Sequence, residues 1–270
     1  MEYLAEVYHL CKAYPNFSLE DINLTVPCGS IVGLIGENGA GKTTTLKALS
    51  GVIRPDGGEL RLLEQGASKK TREQVAVVWE DSYFDGILCP AQISKVMSGI
   101  CSIWDAPLFS SYCKRFALAE KQQLKTFSRG MRMKLSLATA LARHPLLLIL
   151  DEATGGLDPV VRGEILDLFL EFIQDEQHGI LLSSHITSDL EKIADEIAYI
   201  HNGKLLFQKG KDELLESMLI LRTSNAVLDT LPTELILARQ SNSLGAAALV
   251  TEPDRVRKLV PTGIFDSVGL

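Results

Sequence analysis

The sequence predicts an α/β fold, in which strands and helices alternate around a parallel sheet. Residues 31–35 and 146–150 form short, uniformly apolar runs, as expected for strands buried on both faces of such a sheet. Segments with the apolar spacing of helices follow both runs. The length of 270 residues favours one principal domain with room for a small appendage.

The N-terminal residues predict β-structure that leads into a glycine-rich turn. Short runs such as AEVYHL and INLTV are separated by turn-forming residues at Tyr14-Pro15-Asn16 and Pro27-Cys28-Gly29. The run 31–35 then enters the glycine-rich turn, and Leu46 and Leu49 follow at a spacing that a helix would bury on one face. The expected order is therefore strand, loop, helix.

Residues 86–143 predict an inserted helical region, because they lack the alternation of strands. Asp105-Ala106-Pro107 marks a break within it. Ser128 is placed to cap a helix that runs toward Arg143.

The chain then returns to alternating strands and helices. After the strand 146–150, Asp158-Pro159 is expected to begin a helix, and 180–183 to form another buried strand. Ser188 and Glu191 predict a capping box, and Asn202-Gly203 predicts a hairpin turn.

The last sixty or so residues carry no recognisable chemistry. We predict a helix over 211–221, and a loop and strand within SNSLGAAALV. The predicted organisation is a main domain at 1–210, with its helical region at about 86–143, and a small C-terminal extension at 211–270.

Charge and composition argue against several classes of protein. The net charge of -7 and the pI near 5.3 provide no positive field, so nucleic acid is not an expected partner. The five cysteines show no metal-binding spacing and indicate reduced thiols in the cytosol. No apolar run approaches the roughly 18 to 20 residues of a membrane helix, and the first residues do not resemble a secretion signal. A membrane role would need a partner.

The glycine-rich turn satisfies the P-loop pattern, in which backbone N–H groups surround phosphate oxygens at a helix N-terminus. The motif consists of Gly36, Glu37, Asn38, Gly39, Ala40, Gly41, Lys42 and Thr43, and Thr44 follows it. Lys42 is expected to reach the β- and γ-phosphates of ATP, and Thr43 to contact Mg²⁺. The alternative, a plain glycine turn between a strand and a helix, is less consistent with the complete pattern. The motif predicts a P-loop NTPase.

Two carboxylates, Asp151 and Glu152, follow the buried strand 146–150. They would lie at the carboxyl edge of the sheet, where ligands bind in α/β folds. Asp151 is suited to hold Mg²⁺ through water, and Glu152 to polarise the attacking water. Such a pair alone is more often a solvated strand end. Together with the P-loop, it is expected to be catalytic.

The segment Phe127-Ser128-Arg129-Gly130-Met131 places a serine and a glycine at a helix N-terminus, which favours an anion there. With this segment between the P-loop and LLLILDE, and with GGLD and His185 beyond, residues 1–210 resemble the ABC ATPase family. The resemblance implies the fold of that family, with an N-terminal antiparallel β-subdomain and an inserted α-helical subdomain.

The resemblance also implies how two copies would share ATP. Ser128 and Gly130 would contact the γ-phosphate of ATP held by a second subunit, in a head-to-tail homodimer. A loop that crosses the dimer interface would contain Gly156, Leu157 and Asp158, although Asp158 would also cap a helix. His185 would contact the γ-phosphate, and Tyr14 would stack on adenine, with packing roles in the core as the alternative for both residues.

Two departures from the pattern of the family involve three positions. Glu80 stands where a glutamine usually contacts Mg²⁺ and water, and its extra charge beside phosphates is expected to carry a cost. Arg129 and Met131 replace a glycine and a glutamine. The resulting FSRGM resembles bacterial exporter ATPases of the ABC-2 type.

These features predict an ATP-hydrolysing, Mg²⁺-dependent subunit of an ABC transporter, most like an exporter. It would lie at the cytoplasmic face of the membrane, bound to a separate transmembrane permease subunit. A soluble ABC ATPase that acts on DNA or ribosomes is the alternative, but the sequence has neither long heptad arms nor a second P-loop. A regulatory cassette that hydrolyses ATP weakly stays open because of Glu80 and Arg129.

Overall fold

The structure is a computed structural model that describes residues 1–66, 68–80, 84–242, 245–267 and 269. The chain divides into two compact units, Met1–Gln208 and Lys209–Leu270. Each unit has its own sheet structure and its own hydrophobic core.

The larger unit contains strands and helices in alternation after an N-terminal group of strands. Its strands are β1 (Tyr3–Tyr14), β2 (Phe17–Pro27), β3 (Ile31–Ile35), β4 (Gly57–Leu62), β5 (Gln65–Gly66), β6 (Val75–Val78), β7 (Leu147–Asp151), β8 (Gly179–Ser183), β9 (Glu196–His201) and β10 (Lys204–Gly210). Its helices are α1 (Lys42–Leu49), α2 (Lys69–Glu73), α3 (Pro90–Ile100), α4 (Ala106–Arg115), α5 (Arg129–Leu141), α6 (Pro159–Phe172) and α7 (Thr187–Ile193), with a 3-10 turn at Leu124–Thr126.

The strands of this unit form two sheets. The first has the order β2-β1-β4-β5, and its neighbouring strands pair antiparallel. The second has the order β10-β9-β3-β8-β7-β6, and the pairs from β9 to β6 are parallel. The α/β fold with an N-terminal antiparallel β-subdomain is thus confirmed.

The central strands of the second sheet are buried on both faces, which explains their uniformly apolar sequences. Every residue of β7 and β8 is buried, as are the first four of β3. Side chains from both sheets and from α1 join in one core cluster, including Leu10, Ile22, Leu46, Ile149 and Leu181. The core thereby fixes α1 against the sheet.

The helical insertion lies between β6 and β7 and contains α3, α4 and α5. Asp105 begins α4, since its carboxylate accepts a hydrogen bond from the backbone N–H of Leu108 at 2.8 Å. Ser128 caps α5 in the same way, through the backbone N–H of Met131 at 3.2 Å. The inserted helical subdomain and the Ser128 cap are therefore confirmed.

Two further local predictions are confirmed, and one is wrong. Asp158 caps α6, and Asn202 and Gly203 turn the chain from β9 to β10 with positive φ angles of 46° and 76°. The capping box of Ser188 and Glu191 does not form, because α7 begins at Thr187, two residues earlier than a cap at Ser188 would require; the N-cap is Ile186, and no side chain caps the helix.

The smaller unit is a second antiparallel sheet with short helices. Its elements are α8 (Lys211–Glu216), β11 (Met218–Thr223), α9 (Asn225–Leu228), a 3-10 turn (Thr233–Leu235), β12 (Ile236–Asn242), β13 (Gly245–Thr251), α10 (Pro253–Leu259) and β14 (Ile264–Ser267). The strand order is β12-β13-β11-β14, around a core that includes Leu221, Leu235 and Val250.

The predicted helix over 211–221 is wrong in its second half, because α8 ends at Glu216 and β11 follows. Pairing of β11 with β13 and β14 supplies hydrogen bonds that an isolated helix would have to make within itself. The strand predicted within SNSLGAAALV is present as β13; the connection at 243–244 lies outside the described residues.

The parallel sheet brings the ends of several strands together at one edge. β3, β6, β7 and β8 run in the same direction, so the segments that follow Ile35, Val78, Asp151 and Ser183 meet there.

No helix in the described part of the chain is long and apolar enough to span a bilayer.

Candidate functional site

The P-loop connects β3 to α1 and is shaped by glycines. Gly39 and Gly41 have φ angles of 83° and 118°, which residues with a Cβ atom rarely adopt. A Cβ at Gly41 would also lie 2.5 Å from a methyl carbon of Leu19. The loop therefore needs glycine both for its turn and for its packing on β2.

Lys42, the first residue of α1, points back across the loop. Its side chain is only 6% exposed, and its Nζ donates hydrogen bonds to the carbonyls of Gly36 at 2.7 Å and Glu37 at 3.2 Å. The same Nζ lies 3.7 Å from Glu152 Oε1. The ammonium is thus held between the loop backbone and the carboxylate that follows β7.

Thr43 and Asp151 meet at the same edge of the sheet. Thr43 Oγ1 donates to the carboxylate of Asp151, with distances of 2.9 and 3.1 Å to its two oxygens. Ser183 Oγ, at the end of β8, donates to Asp151 Oδ1 at 2.7 Å. Asp151 is buried, so these hydroxyl groups replace water around its charge.

Glu152 lies directly after β7 in a left-handed conformation, with a φ of 51°. Its backbone N–H donates to Ser183 Oγ at 3.2 Å, and its side chain is 12% exposed. His185 Nδ1 donates to Glu152 Oε2 at 2.6 Å, and the backbone N–H of His185 approaches the same oxygen at 3.3 Å. The carboxylate is therefore fixed between Lys42 and His185.

These groups surround a pocket of about 530 Å³. The pocket is lined by Asn16, Phe17, Glu37, Asn38, Gly39, Gly41, Lys42, Thr43, Thr44, Glu80 and Glu152. A larger groove of about 820 Å³ lies beside Phe172 and His178, away from every motif residue. The smaller pocket is the one that combines a glycine loop, a buried lysine and carboxylates, so we take it as the candidate site.

Glu80, two residues beyond β6, faces this pocket and makes an ion pair. Arg129 Nη2 donates to Glu80 Oε1 at 2.9 Å, and both side chains are about half exposed. Arg129 also passes over the loop after β7, because a Cβ at Gly156 would lie 3.0 Å from Arg129 Cζ.

The predicted second-subunit residues lie at the N-termini of α5 and α6. Ser128 is exposed, whereas Gly130 is buried against Val161, whose Cγ1 would lie 3.0 Å from a Cβ at that glycine. In the loop after β7, Gly156 and Asp158 are exposed and Leu157 is buried. Ser128 is not among the described residues that line the pocket of its own chain.

Tyr14 lies at the end of β1, in the hairpin where it pairs with Phe17. It is 43% exposed, and Lys12 Nζ lies 5.7 Å from its ring centre. The pocket is lined by Asn16 and Phe17 of the same hairpin, and neither residue belongs to a predicted binding motif. Their only sequence signal is their closeness to Tyr14.

The oxygen groups of Thr43, Asp151 and Glu80 match the hard donors that Mg²⁺ prefers. Within the described ranges, no group of three His, Cys, Asp or Glu side chains could enclose a metal ion on its own. Mg²⁺ that binds through substrate phosphates needs only one or two carboxylates and keeps several waters. The residues present therefore fit a phosphate-bound Mg²⁺.

The fold and the pocket together define a P-loop NTPase. Comparison with known proteins narrows the class: the family described as ABC transporter matches residues 19–155, about half of the chain. The chain belongs to the ABC transporter family, as an ATP-binding and ATP-hydrolysing subunit.

Individual relatives agree with this assignment. The chain is 31% identical to the lantibiotic transport ATP-binding protein SrtF of Streptococcus pyogenes, over 77% of this chain and 92% of that protein. It is 33% identical to the bacitracin transport ATP-binding protein BcrA of Bacillus licheniformis, over 73% of this chain and 66% of that protein. A solved ATP-binding subunit of an ABC transporter superposes with a TM-score of 0.70 at 28% identity, covering 79% of this chain and 92% of its own.

Proposed function

We propose that two copies of this chain enclose two ATP molecules and drive a separate membrane permease, and that the transporter is an exporter. The relatives named for lantibiotic and bacitracin transport support a role in transport. The FSRGM segment, which resembles exporter ATPases of the ABC-2 type, supports the direction. The chain would then lie at the cytoplasmic face of the membrane, held there by its permease.

The observation that carries the proposal is the convergence of Lys42, Thr43, Asp151, Glu152 and His185 at one edge of the sheet. Lys42 and the backbone N–H groups of the loop are suited to bind the phosphates of ATP. Asp151 and Thr43 are already joined by hydrogen bonds, so little rearrangement is needed to present their oxygens together.

Mg²⁺ would be held by Thr43, Asp151 and Glu80, and it would neutralise charge on the β- and γ-phosphates. Glu152 is the group suited to accept a proton from the attacking water. Its hydrogen bond with His185 and its contact with Lys42 keep one carboxylate orientation, which is the main requirement for such a base. His185, which is more exposed than Glu152, is suited to contact the γ-phosphate.

The second subunit would complete the site. Ser128 is exposed at the N-terminus of α5, where its hydroxyl and the helix dipole favour an anion. A Cβ at Gly130 would crowd Val161, which supports a glycine there. The exposed Gly156 and Asp158, with Leu157 between them, would lie at the contact between subunits, and Tyr14 would stack on adenine.

Residues 1–210 would form the ATPase domain, with the helical subdomain at about 86–143, and residues 211–270 would be a small C-terminal extension.

Glu152→Gln tests the catalytic assignment. The amide keeps the size of the side chain but cannot accept the proton, so kcat for ATP hydrolysis should fall by about 100-fold or more. Binding of a fluorescent ATP analogue should persist. Glu59→Gln, on β4 beside Arg61, is the matched control and should leave both quantities unchanged. Hydrolysis by Glu152→Gln at the wild-type rate would show that another group activates water.

A further inference from the structure

Two of the three positions that depart from the family pattern, Glu80 and Arg129, are in contact in the structure. Arg129 Nη2 donates a hydrogen bond to Glu80 Oε1 at 2.9 Å, across a separation of 49 residues. One partner follows β6 and the other begins α5, so the contact joins the edge of the parallel sheet to the helical insertion.

An arginine in the first turn of a helix needs an explanation. The N-terminus of a helix carries a partial positive charge, so a cation at the first position is unfavourable there. Ser128 already caps α5 through the N–H of Met131, and Arg129 is not needed for that purpose. Its guanidinium instead turns toward Glu80 and the loop after β7.

That loop holds the guanidinium close to the candidate catalytic groups. A Cβ at Gly156 would lie 3.0 Å from Arg129 Cζ. A Cβ at Gly155 would lie 3.7 Å from both Arg129 Nη2 and His185 Cε1. Arg129 therefore lies near the same chain's His185, which is paired with Glu152.

The charge around the pocket shows what the pair could do. Glu37, Glu80 and Glu152 line the pocket, and ATP brings further negative charge to it. The ammonium of Lys42 contacts the carboxylate of Glu152 and two backbone carbonyls. A carboxylate at position 80 therefore adds repulsion that an amide would not add, unless a cation accompanies it.

We propose that Arg129 is a positioning residue for the nucleotide site of its own chain, which neutralises and orients the Glu80 carboxylate. Glu80 and Arg129 then act as a charged pair in place of a neutral glutamine and a glycine. The proposal rests on the proposed function, because it assigns Glu80 to the Mg-ATP site.

The test is a double-mutant cycle on the whole chain, read as KM for Mg-ATP and as kcat. Arg129→Ala should raise KM by about two- to fivefold, the range expected for a half-exposed ion pair, with kcat changed less. In a chain that already carries Glu80→Gln, the same change should have almost no effect on KM. Arg129→Lys should retain most of the affinity, and raising the salt concentration should shrink the effect of Arg129→Ala.

Arg115→Ala is the matched control, since Arg115 pairs with Glu171 at 2.6 Å in a half-exposed position away from the pocket. It should leave KM unchanged. Equal effects of Arg129→Ala with and without Glu80→Gln would overturn the pairing, as would an unchanged KM. Those results presuppose a wild-type chain that hydrolyses ATP; a wild-type chain that binds no Mg-ATP would instead overturn the proposed function and this role with it.

Discussion

Ser183→Ala removes a hydroxyl group that holds the buried Asp151 in place. Ser183 is fully buried, and its Oγ donates to Asp151 Oδ1 at 2.7 Å while accepting from the backbone N–H of Glu152 at 3.2 Å. Alanine fits the same space but offers neither contact. Asp151 keeps the hydroxyl of Thr43, at 2.9 and 3.1 Å from its two oxygens.

The expected cost follows from the charge of the acceptor. A hydrogen bond to a charged group contributes about 1.5 to 3 kcal/mol to stability, because a buried carboxylate that loses its donor cannot form a replacement hydrogen bond with water. The remaining hydrogen bond to Thr43 limits the loss, so we expect the free energy of unfolding to fall by about 2 kcal/mol. The Mg²⁺ concentration required for half-maximal ATPase activity should also rise, on the order of tenfold, as for other residues that orient a metal-binding carboxylate.

Urea unfolding measures the first quantity, and ATPase activity against Mg²⁺ concentration measures the second. Ser184→Ala is the matched control, because Ser184 is equally buried but its Oγ accepts from the neutral backbone N–H of Ile186 at 3.0 Å. It should cost about 1 kcal/mol and leave the Mg²⁺ requirement unchanged. If Ser183→Ala proved no more costly than Ser184→Ala, with the same Mg²⁺ requirement, the contact with Asp151 would be unimportant.

Three further predictions concern the loop, a thiol and a helix cap. Gly41→Ala should destabilise the chain by at least about 1 kcal/mol, because position 41 has a φ of 118° and the added Cβ would lie 2.5 Å from a methyl carbon of Leu19. Urea unfolding measures the change, and an unchanged midpoint would contradict the prediction. Burial raises the pKa of the Cys113 thiol to about 11, so iodoacetamide at pH 8 should modify this thiol far more slowly in the native chain than in the urea-unfolded chain. Mass spectrometry of the modified peptide measures both rates, and equal rates would contradict the prediction. The pKa of Asp105 is lowered, mainly by the hydrogen bond from the backbone N–H of Leu108 and then by the one from His144. The Asp105 carboxylate therefore stabilises the fold fully above its unfolded pKa of about 3.9, and this contribution is lost as the pH falls through the lower pKa of the folded state. Asp105→Asn should therefore flatten the acid side of the stability curve, and an unaltered acid side would refute the assignment.

The sequence predicts those parts of the site that depend on local order along the chain. The P-loop and the serine at the start of α5 lie where a loop meets a helix, and the two carboxylates lie where β7 ends; in each place the backbone geometry follows from a few residues. Asp158 and the Asn202-Gly203 turn are predictable for the same reason.

Contacts that depend on strand register or on distant pairing could not be predicted in this way. Ser183 contacts Asp151 because β7 and β8 pair those two residues, and the serines of LLSS alone do not reveal that register. The contact between Glu80 and Arg129 joins residues that α3 and α4 separate along the chain. In the sequence, the two positions are recognisable only as separate departures from the family pattern.

The helix predicted over 211–221 was wrong for a related reason. Its last four residues, Met218 to Leu221, form a continuous apolar run, which suits either a helix or a buried strand. Pairing with β13 and β14 decides in favour of a strand from Met218 onward. The capping box at Ser188 was wrong because a spacing of three residues does not fix where a helix starts, and α7 starts at Thr187.

Complementation between two inactive variants tests most directly whether ATP is enclosed by two copies of the chain. Lys42→Ala damages the phosphate loop, and Ser128→Arg blocks the capped end of α5, so each variant alone should hydrolyse little ATP. A mixed pair would contain one intact site, with the loop from one chain and the serine from the other. An equal mixture should therefore recover about a quarter of the wild-type ATPase rate, since half of the pairs are mixed and each has one of two sites. A mixture no more active than the sum of its separate components would contradict the shared site.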